Sequence, residues 1–93
     1  MLSQEKKEEI IDKFQKHEDD TGSSQVQIAI LTAEIKELSE HLEEHPKDHS
    51  SRRGLLKKVG KRRRLLKYLK EEDPEKFNWV AEELDLRKAK SLD

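Results

Sequence analysis

The scarcity of helix-breaking residues most constrains what this chain can fold into. Its 93 residues include three glycines and two prolines. Between residues 24 and 44, apolar side chains recur at spacings of three and four, which is the period of one helix face. These side chains are Ile28, Leu31, Ile35, Leu38 and Leu42. The composition and the spacing together predict an all-α protein.

Capping and turn signals divide the first half of the chain into two predicted helices. The first spans about 4–16 behind a Ser3 N-cap, and the turn-forming run DDTGS follows it. The second spans 24–44, where Ser24 and Gln27 have the spacing of a capping box. This helix ends where a proline disfavours helical backbone in the residue before it.

The second half is predicted to hold two further helices. One spans about 50–71, and the other begins at Asp73 and Pro74, an N-cap followed by proline at the first helical position. Short connections favour antiparallel neighbours, so we expect three long antiparallel helices and a shorter N-terminal helix that can swing on its loop. We expect one domain over 1–93, with an N-terminal helix at 1–20, a core at 21–88 and a frayed tail at 89–93.

Charge is distributed unevenly along the chain. Residues 47–70 carry eleven basic side chains and one acidic one, whereas the rest carries nine basic and twenty acidic. A block of this kind in an otherwise acidic chain indicates a polyanionic partner, of which nucleic acid is the commonest. The alternative is a solvated helix face whose positive charge is balanced by the acidic helices beside it.

One side of the third predicted helix carries most of these cations. At 100° per residue, five of its side chains fall within an arc of about 80°, roughly opposite an apolar stripe. They are Arg53, Lys57, Lys61, Arg64 and Tyr68. A row of cations that ends in an aromatic residue suits phosphates and a stacked base.

The connection before this helix is rich in histidine. His41 and His45 share a helix face, and Asp48 and Ser51 follow closely. Three interpretations stay open on spacing alone: a zinc site, a turn capped by Asp48 or Ser50, or recognition of an RNA minor groove. For the last, a carboxylate can accept the guanine amine, and histidine and serine can serve 2′-hydroxyls.

Several function classes are disfavoured. The chain has no cysteine, and no apolar run suits a signal peptide or a bilayer span. It has no Gly-rich phosphate loop and no paired nucleophile and base. We expect a soluble, cytoplasmic, non-enzymatic protein without cofactor, metal, membrane partner or small-molecule substrate. A helical module that binds an acidic protein stays open beside nucleic-acid binding.

Three segments resemble the family of bacterial small-subunit ribosomal protein fifteen. They are DTGS, QVQIAILTAEI and HLEEHPKDHSSRRGLLKKVGKRRRLLKYL, and the likeness extends over nearly the whole chain. The resemblance implies a four-helix primary binder of 16S rRNA that holds a three-way junction and a G·U/G·C minor-groove site. It also implies a role in nucleating platform assembly, a bridge to 23S rRNA, and contact with neighbouring small-subunit proteins.

The resemblance also implies roles for particular residues. The minor-groove triad is His41, Asp48 and Ser51. The junction contacts are Thr21, Gly22, Gln27, Arg64 and Tyr68. Further RNA contacts are expected beside the triad and along the third helix, at His45, Arg52, Arg53, Lys57 and Lys61. Carboxylates at Glu34 and Glu71 depart from the family pattern, so we expect no direct RNA contact there.

Overall fold

The computed structural model describes residues 2–17, 20 and 22–86. These residues form four α-helices: α1 (Gln4–Phe14), α2 (Ser24–Glu44), α3 (His49–Glu72) and α4 (Pro74–Glu83). The prediction of an all-α chain with four helices is confirmed. The helix positions agree with the capping signals to within a few residues.

α1 ends two residues earlier than predicted. Ser3 caps its start, and its hydroxyl accepts the Lys6 N–H. At the other end, the buried Gln25 side chain donates from Nε2 to the Phe14 carbonyl. The Lys16 N–H donates to the Asp20 carboxylate at 2.8 Å. These two hydrogen bonds draw the chain out of the helix after Phe14.

The prediction of three long helices is wrong for α4, which has 10 residues. Its start is as expected: Asp73 is the N-cap, its carboxylate accepts the Lys76 N–H at 3.1 Å, and Pro74 follows. After Glu83 the chain turns through Asp85, which adopts a positive φ of 56°. That turn brings Leu86 into the core. Burial of this leucine side chain is the physical reason for the early end of α4.

The core is formed by apolar side chains from all four helices and the turn after α4. Phe14 of α1 stacks against Trp79 of α4, with ring centroids 5.3 Å apart and planes tilted by 59°. Tilted aromatic pairs at this distance are favourable. The buried members of the core are Phe14, Val26, Ile28, Ala29, Leu66, Leu69, Val80, Ala81 and Leu86.

One arginine of the basic block lies inside the protein. Arg62 is only 8% exposed, and its Nη1 donates to the Thr32 hydroxyl across α2 and α3 at 3.4 Å. That hydroxyl in turn donates to the Ile28 carbonyl at 2.8 Å. Desolvation by burial lowers the pKa of Arg62. Arg62 therefore lies in the α2–α3 contact and is not part of the solvent-exposed cationic surface.

Two leucines of α3 offer a matched test of the core. Leu66 is 3% exposed and Leu56 is 65% exposed. We expect Leu66→Ala to lower the free energy of unfolding by about 2–5 kcal/mol, because it leaves a cavity. Leu56→Ala should change it by no more than about 0.5 kcal/mol, because this side chain is already in solvent. Urea unfolding monitored by circular dichroism measures both, and equal losses would contradict the assignment of the buried face.

Candidate nucleic-acid interface

The Asp48 carboxylate gathers the three residues predicted as a triad. Asp48 is the N-cap of α3, and its Oδ1 accepts the Ser51 N–H at 3.0 Å. Its Oδ2 accepts the Ser51 hydroxyl at 2.7 Å and contacts His41 Nε2 at 2.8 Å. His41 belongs to the last turn of α2. The triad therefore lies where the end of one helix meets the start of the next.

This carboxylate is held in its ionised form. Hydrogen bonds from the Ser51 hydroxyl, then from its N–H, then from His41, hold the pKa of Asp48 well below its usual range. Because an ionised carboxylate only accepts hydrogen bonds, His41 Nε2 is the donor of that pair. The side chains of His41 and Asp48 are 42% and 35% exposed, so a partner can reach them.

Further contacts are made by residues beside the triad. The His45 ring lies 4.7 Å from the His41 ring, centroid to centroid. Arg52 donates from Nη2 to the Pro46 carbonyl at 2.8 Å. The capped turn predicted for Asp48 is thus present. Within the described residues, no group of three or more potential ligands could hold a metal ion, which leaves the zinc alternative without geometric support.

The exposed side of α3 matches the arc drawn from the sequence. All five predicted side chains of this row are exposed, and Tyr68 is 55% exposed. Within the described part of the chain, no hydrogen bond or ion pair engages Lys57, Lys61 or Arg64. Arg53 reaches only the Ser50 hydroxyl, at 3.5 Å. This row of Arg53, Lys57, Lys61, Arg64 and Tyr68 is called the α3 row below.

Glu34 is neutralised within the protein. Its Oε1 lies 3.2 Å from Lys58 Nζ, and the two side chains are 14% and 27% exposed. The pair joins α2 to α3 beside the triad. Lys58 is consequently withdrawn from the exposed cations, and the Glu34 charge is compensated before any phosphate approaches. Glu71 is exposed near the end of α3.

Asp20 organises the loop between α1 and α2, a role that sequence reasoning missed. Its Oδ1 accepts the Gly22 N–H at 3.2 Å and the Ser23 N–H at 2.9 Å, while Oδ2 accepts the Lys16 N–H. Hydrogen bonds from the Ser23 side chain and then the Lys16 backbone hold the pKa of Asp20 well below its usual range. The run DDTGS carried the signal, because aspartate commonly accepts N–H groups two residues on. Thr21, predicted as a contact, lies outside the described residues.

The predicted capping box at the start of α2 is wrong. Ser23, not Ser24, is the N-cap, and its hydroxyl accepts the Val26 N–H at 3.4 Å. Gln27 instead donates from Nε2 to the Gly22 carbonyl at 2.7 Å. The Asp20 turn moves the cap one residue earlier, which puts Gln27 beyond the capping-box position. Gln27 thereby contacts the other predicted junction residue of the described loop, Gly22.

The described residues and the site define a small helical protein with a strongly basic exposed surface on α3. Within the described residues, none of its helices has the length and hydropathy required to cross a bilayer. The family model of ribosomal protein S15 matches residues 6–87. The chain belongs to this family, which confirms the resemblance found in its sequence. Members are structural, non-enzymatic proteins of the small ribosomal subunit, so the prediction that the chain is not an enzyme is confirmed.

Curated relatives resemble the chain over almost its full length. The small ribosomal subunit protein uS15 of Caldanaerobacter subterraneus is 60% identical over 88 residues, covering 95% of this chain and all of the relative. The protein of the same name from Trichlorobacter lovleyi is 59% identical with the same coverage. That from Thermotoga petrophila is 58% identical over 87 residues, covering 94% of this chain and 97% of the relative.

The lowered pKa of Asp48 predicts a pH-dependent stability. Stability contributed by the ionised carboxylate is fully present above the unfolded value of about 3.9 and is lost as pH falls through the lower folded value. We therefore expect Asp48→Asn to have a lower Tm than the parent chain at pH 7. The difference should shrink below about pH 4, where the parent loses its advantage.

Thermal unfolding at several pH values measures this difference. Asp12→Asn, an exposed change in α1, is the matched control and should leave Tm nearly unchanged at each pH. A deficit of Asp48→Asn that stayed constant down to pH 2 would contradict the role of the charge.

Proposed function

We propose that the chain is a primary binder of 16S rRNA that reads a G·U/G·C minor-groove site with Asp48, His41 and Ser51. The observation that carries this proposal is the ionised, partly exposed carboxylate at the α2–α3 junction. A carboxylate offers about four acceptor sites, and three are used within the protein. The remaining site can accept the guanine amine, which the minor groove displays as its distinctive donor.

The two neighbours of Asp48 suit the sugars beside that base. Because His41 Nε2 donates to the carboxylate, its Nδ1 is the ring nitrogen left to face a 2′-hydroxyl. The Ser51 hydroxyl uses its hydrogen toward Asp48 and keeps its lone pairs for another donor. Because 2′-hydroxyls distinguish RNA from DNA, this arrangement favours RNA. We expect phosphate contacts from the neighbours of the triad, namely Arg52, Arg53 and His45.

The junction contact comes from the first loop and the α3 row. The Asp20 carboxylate accepts the Gly22 N–H and so fixes the backbone there. Gln27 donates from Nε2 to the Gly22 carbonyl, and the Oε1 atom of the same amide can accept a hydrogen bond from RNA. Arg64 and Tyr68 supply a cation and a stacking ring, and Lys57 and Lys61 supply further phosphate contacts. On the basis of family membership, the proposal extends to nucleation of platform assembly, a bridge with 23S rRNA and ribosome-bound localisation in the bacterial cytoplasm.

A change at Asp48 tests the specific contact. We expect Asp48→Ala to weaken binding to a three-way-junction fragment of 16S rRNA by about tenfold or more, since a good base contact contributes about 1–3 kcal/mol. Its affinity for the same fragment with ordinary pairs at the G·U/G·C site should change much less. Filter binding at fixed salt measures both. If Asp48→Ala left the affinity for the natural fragment unchanged, the proposed recognition of the minor-groove site would be wrong.

A change at Lys57 tests the electrostatic contact. Lys57→Gln should weaken binding to both fragments alike and reduce the slope of log affinity against log salt by about 1, because one phosphate contact is lost. Lys6→Gln, which removes an exposed cation from α1, is the control and should leave the slope unchanged. If the two variants behaved alike, the α3 row would not be the phosphate-binding surface.

A further inference from the structure

A second surface of α3, exposed except at the half-buried Gly60, is not used by the site described above. It consists of Leu56, Gly60, Arg63 and Lys67, and it is called the α3 flank below. At 100° per residue these positions fill an arc of about 60°, whose centre lies about 90° around the helix from the centre of the α3 row. Leu56 is 65% exposed, more than any other large hydrophobic side chain in the described residues.

The charge of the flank is uncompensated. Arg63 and Lys67 are exposed, and neither makes a hydrogen bond or ion pair within the described part of the chain. The exposed half of α3 through its central turns carries no carboxylate at all between Asp48 and Glu71. An acidic polymer complements such a surface, whereas an ordinary protein face of mixed charge does not.

Gly60 carries no side chain between Leu56 and Lys67, and the Arg64 guanidinium lies beside it. A Cβ at Gly60 would meet only Arg64 Nη1, at 3.5 Å, which is ordinary van der Waals contact. Gly60 does not have a positive φ, so neither backbone nor internal packing requires glycine there. A glycine in a helix interior lowers helix stability relative to alanine. Its presence is explained if an outside backbone approaches α3 closely at that point.

We propose that the α3 flank binds a second RNA segment, so that RNA contacts α3 on two adjoining sides. This inference rests on the proposed function, because the α3 row is taken to hold the first segment. An A-form minor groove is shallow, so one groove contacts one side of a helix and does not wrap around it. Cations whose directions differ by about 90° therefore reach two segments. Leu56 packs against sugar or base edges of the second segment, and Arg63 and Lys67 bind its phosphates.

Binding of the full chain to transcribed 16S rRNA over a salt series tests the flank. Lys67→Gln should reduce the salt slope by about 1, and the double variant with Lys57→Gln by about 2, since the contacts are separate. Leu56→Ala should weaken binding several-fold without changing the slope. Gly60→Ala should raise the Tm of the free chain and yet weaken RNA binding, a combination that a merely structural role does not produce.

The opposite results are equally clear. If Lys67→Gln, Leu56→Ala and Gly60→Ala all bound like Lys6→Gln while Lys57→Gln lost affinity, the flank would face a protein or solvent, and the proposal would be wrong. If even the unmodified chain failed to prefer the natural junction fragment, the proposed function itself would fail. These two failures are therefore distinguishable.

The absence of cysteine from the sequence permits a direct second measurement. Leu56→Cys and Lys61→Cys each create a single attachment point for an iron–EDTA tether, one on the flank and one on the row. Hydroxyl radicals from the two tethers should cleave 16S rRNA at two separate groups of nucleotides. Cleavage of the same nucleotides from both positions, or none from position 56, would overturn the two-segment arrangement.

Discussion

The hydrogen bonds of the Asp48 carboxylate connect the fold to the candidate site. One oxygen accepts the Ser51 N–H and thereby starts α3, and the other binds Ser51 Oγ and His41 Nε2, which belongs to the end of α2. The direction in which α3 leaves the loop is thus tied to the last turn of α2. Because the α3 row lies on that helix, its orientation depends on the same carboxylate. The same carboxylate thus belongs both to the candidate recognition site and to the N-cap of the helix that carries the cations.

Two basic residues show that burial determines whether a cation contacts the protein itself or is exposed to a partner. Arg62 and Lys58 belong to the same basic block as the α3 row, but both are directed toward α2, where they meet Thr32 and Glu34. Both side chains make contacts between the two helices and are not available to a long polyanion. By contrast, the exposed cations Lys57, Lys61, Arg63, Arg64 and Lys67 have no internal acceptor among the described residues. The block of eleven positive charges therefore contains cations that contact α2 inside the protein and cations that are exposed and can bind a partner.

The sequence was sufficient to predict those features that depend only on neighbouring residues. Ser3, Asp73 and Pro74 predicted helix starts correctly because capping depends on a few neighbouring residues. The α3 row was also predictable, because helical period alone determines which side chains share a face. The same period places Arg62 opposite that row and could have revealed its burial. For the residues of the triad, spacing alone left a metal site, a capped turn and minor-groove recognition open, and the resemblance favoured the last.

What the sequence did not reveal depends on contacts between distant residues. The hydrogen bond from Gln25 to the Phe14 carbonyl and the three N–H groups bound by Asp20 shorten α1 and shift the cap of α2 to Ser23. No local rule ranks these bonds against a longer α1 or a capping box at Ser24. Likewise, burial of Leu86 ends α4 early, although Leu84 and Leu86 look equivalent in the sequence. Tertiary packing decides between alternatives that local propensity leaves nearly equal in free energy.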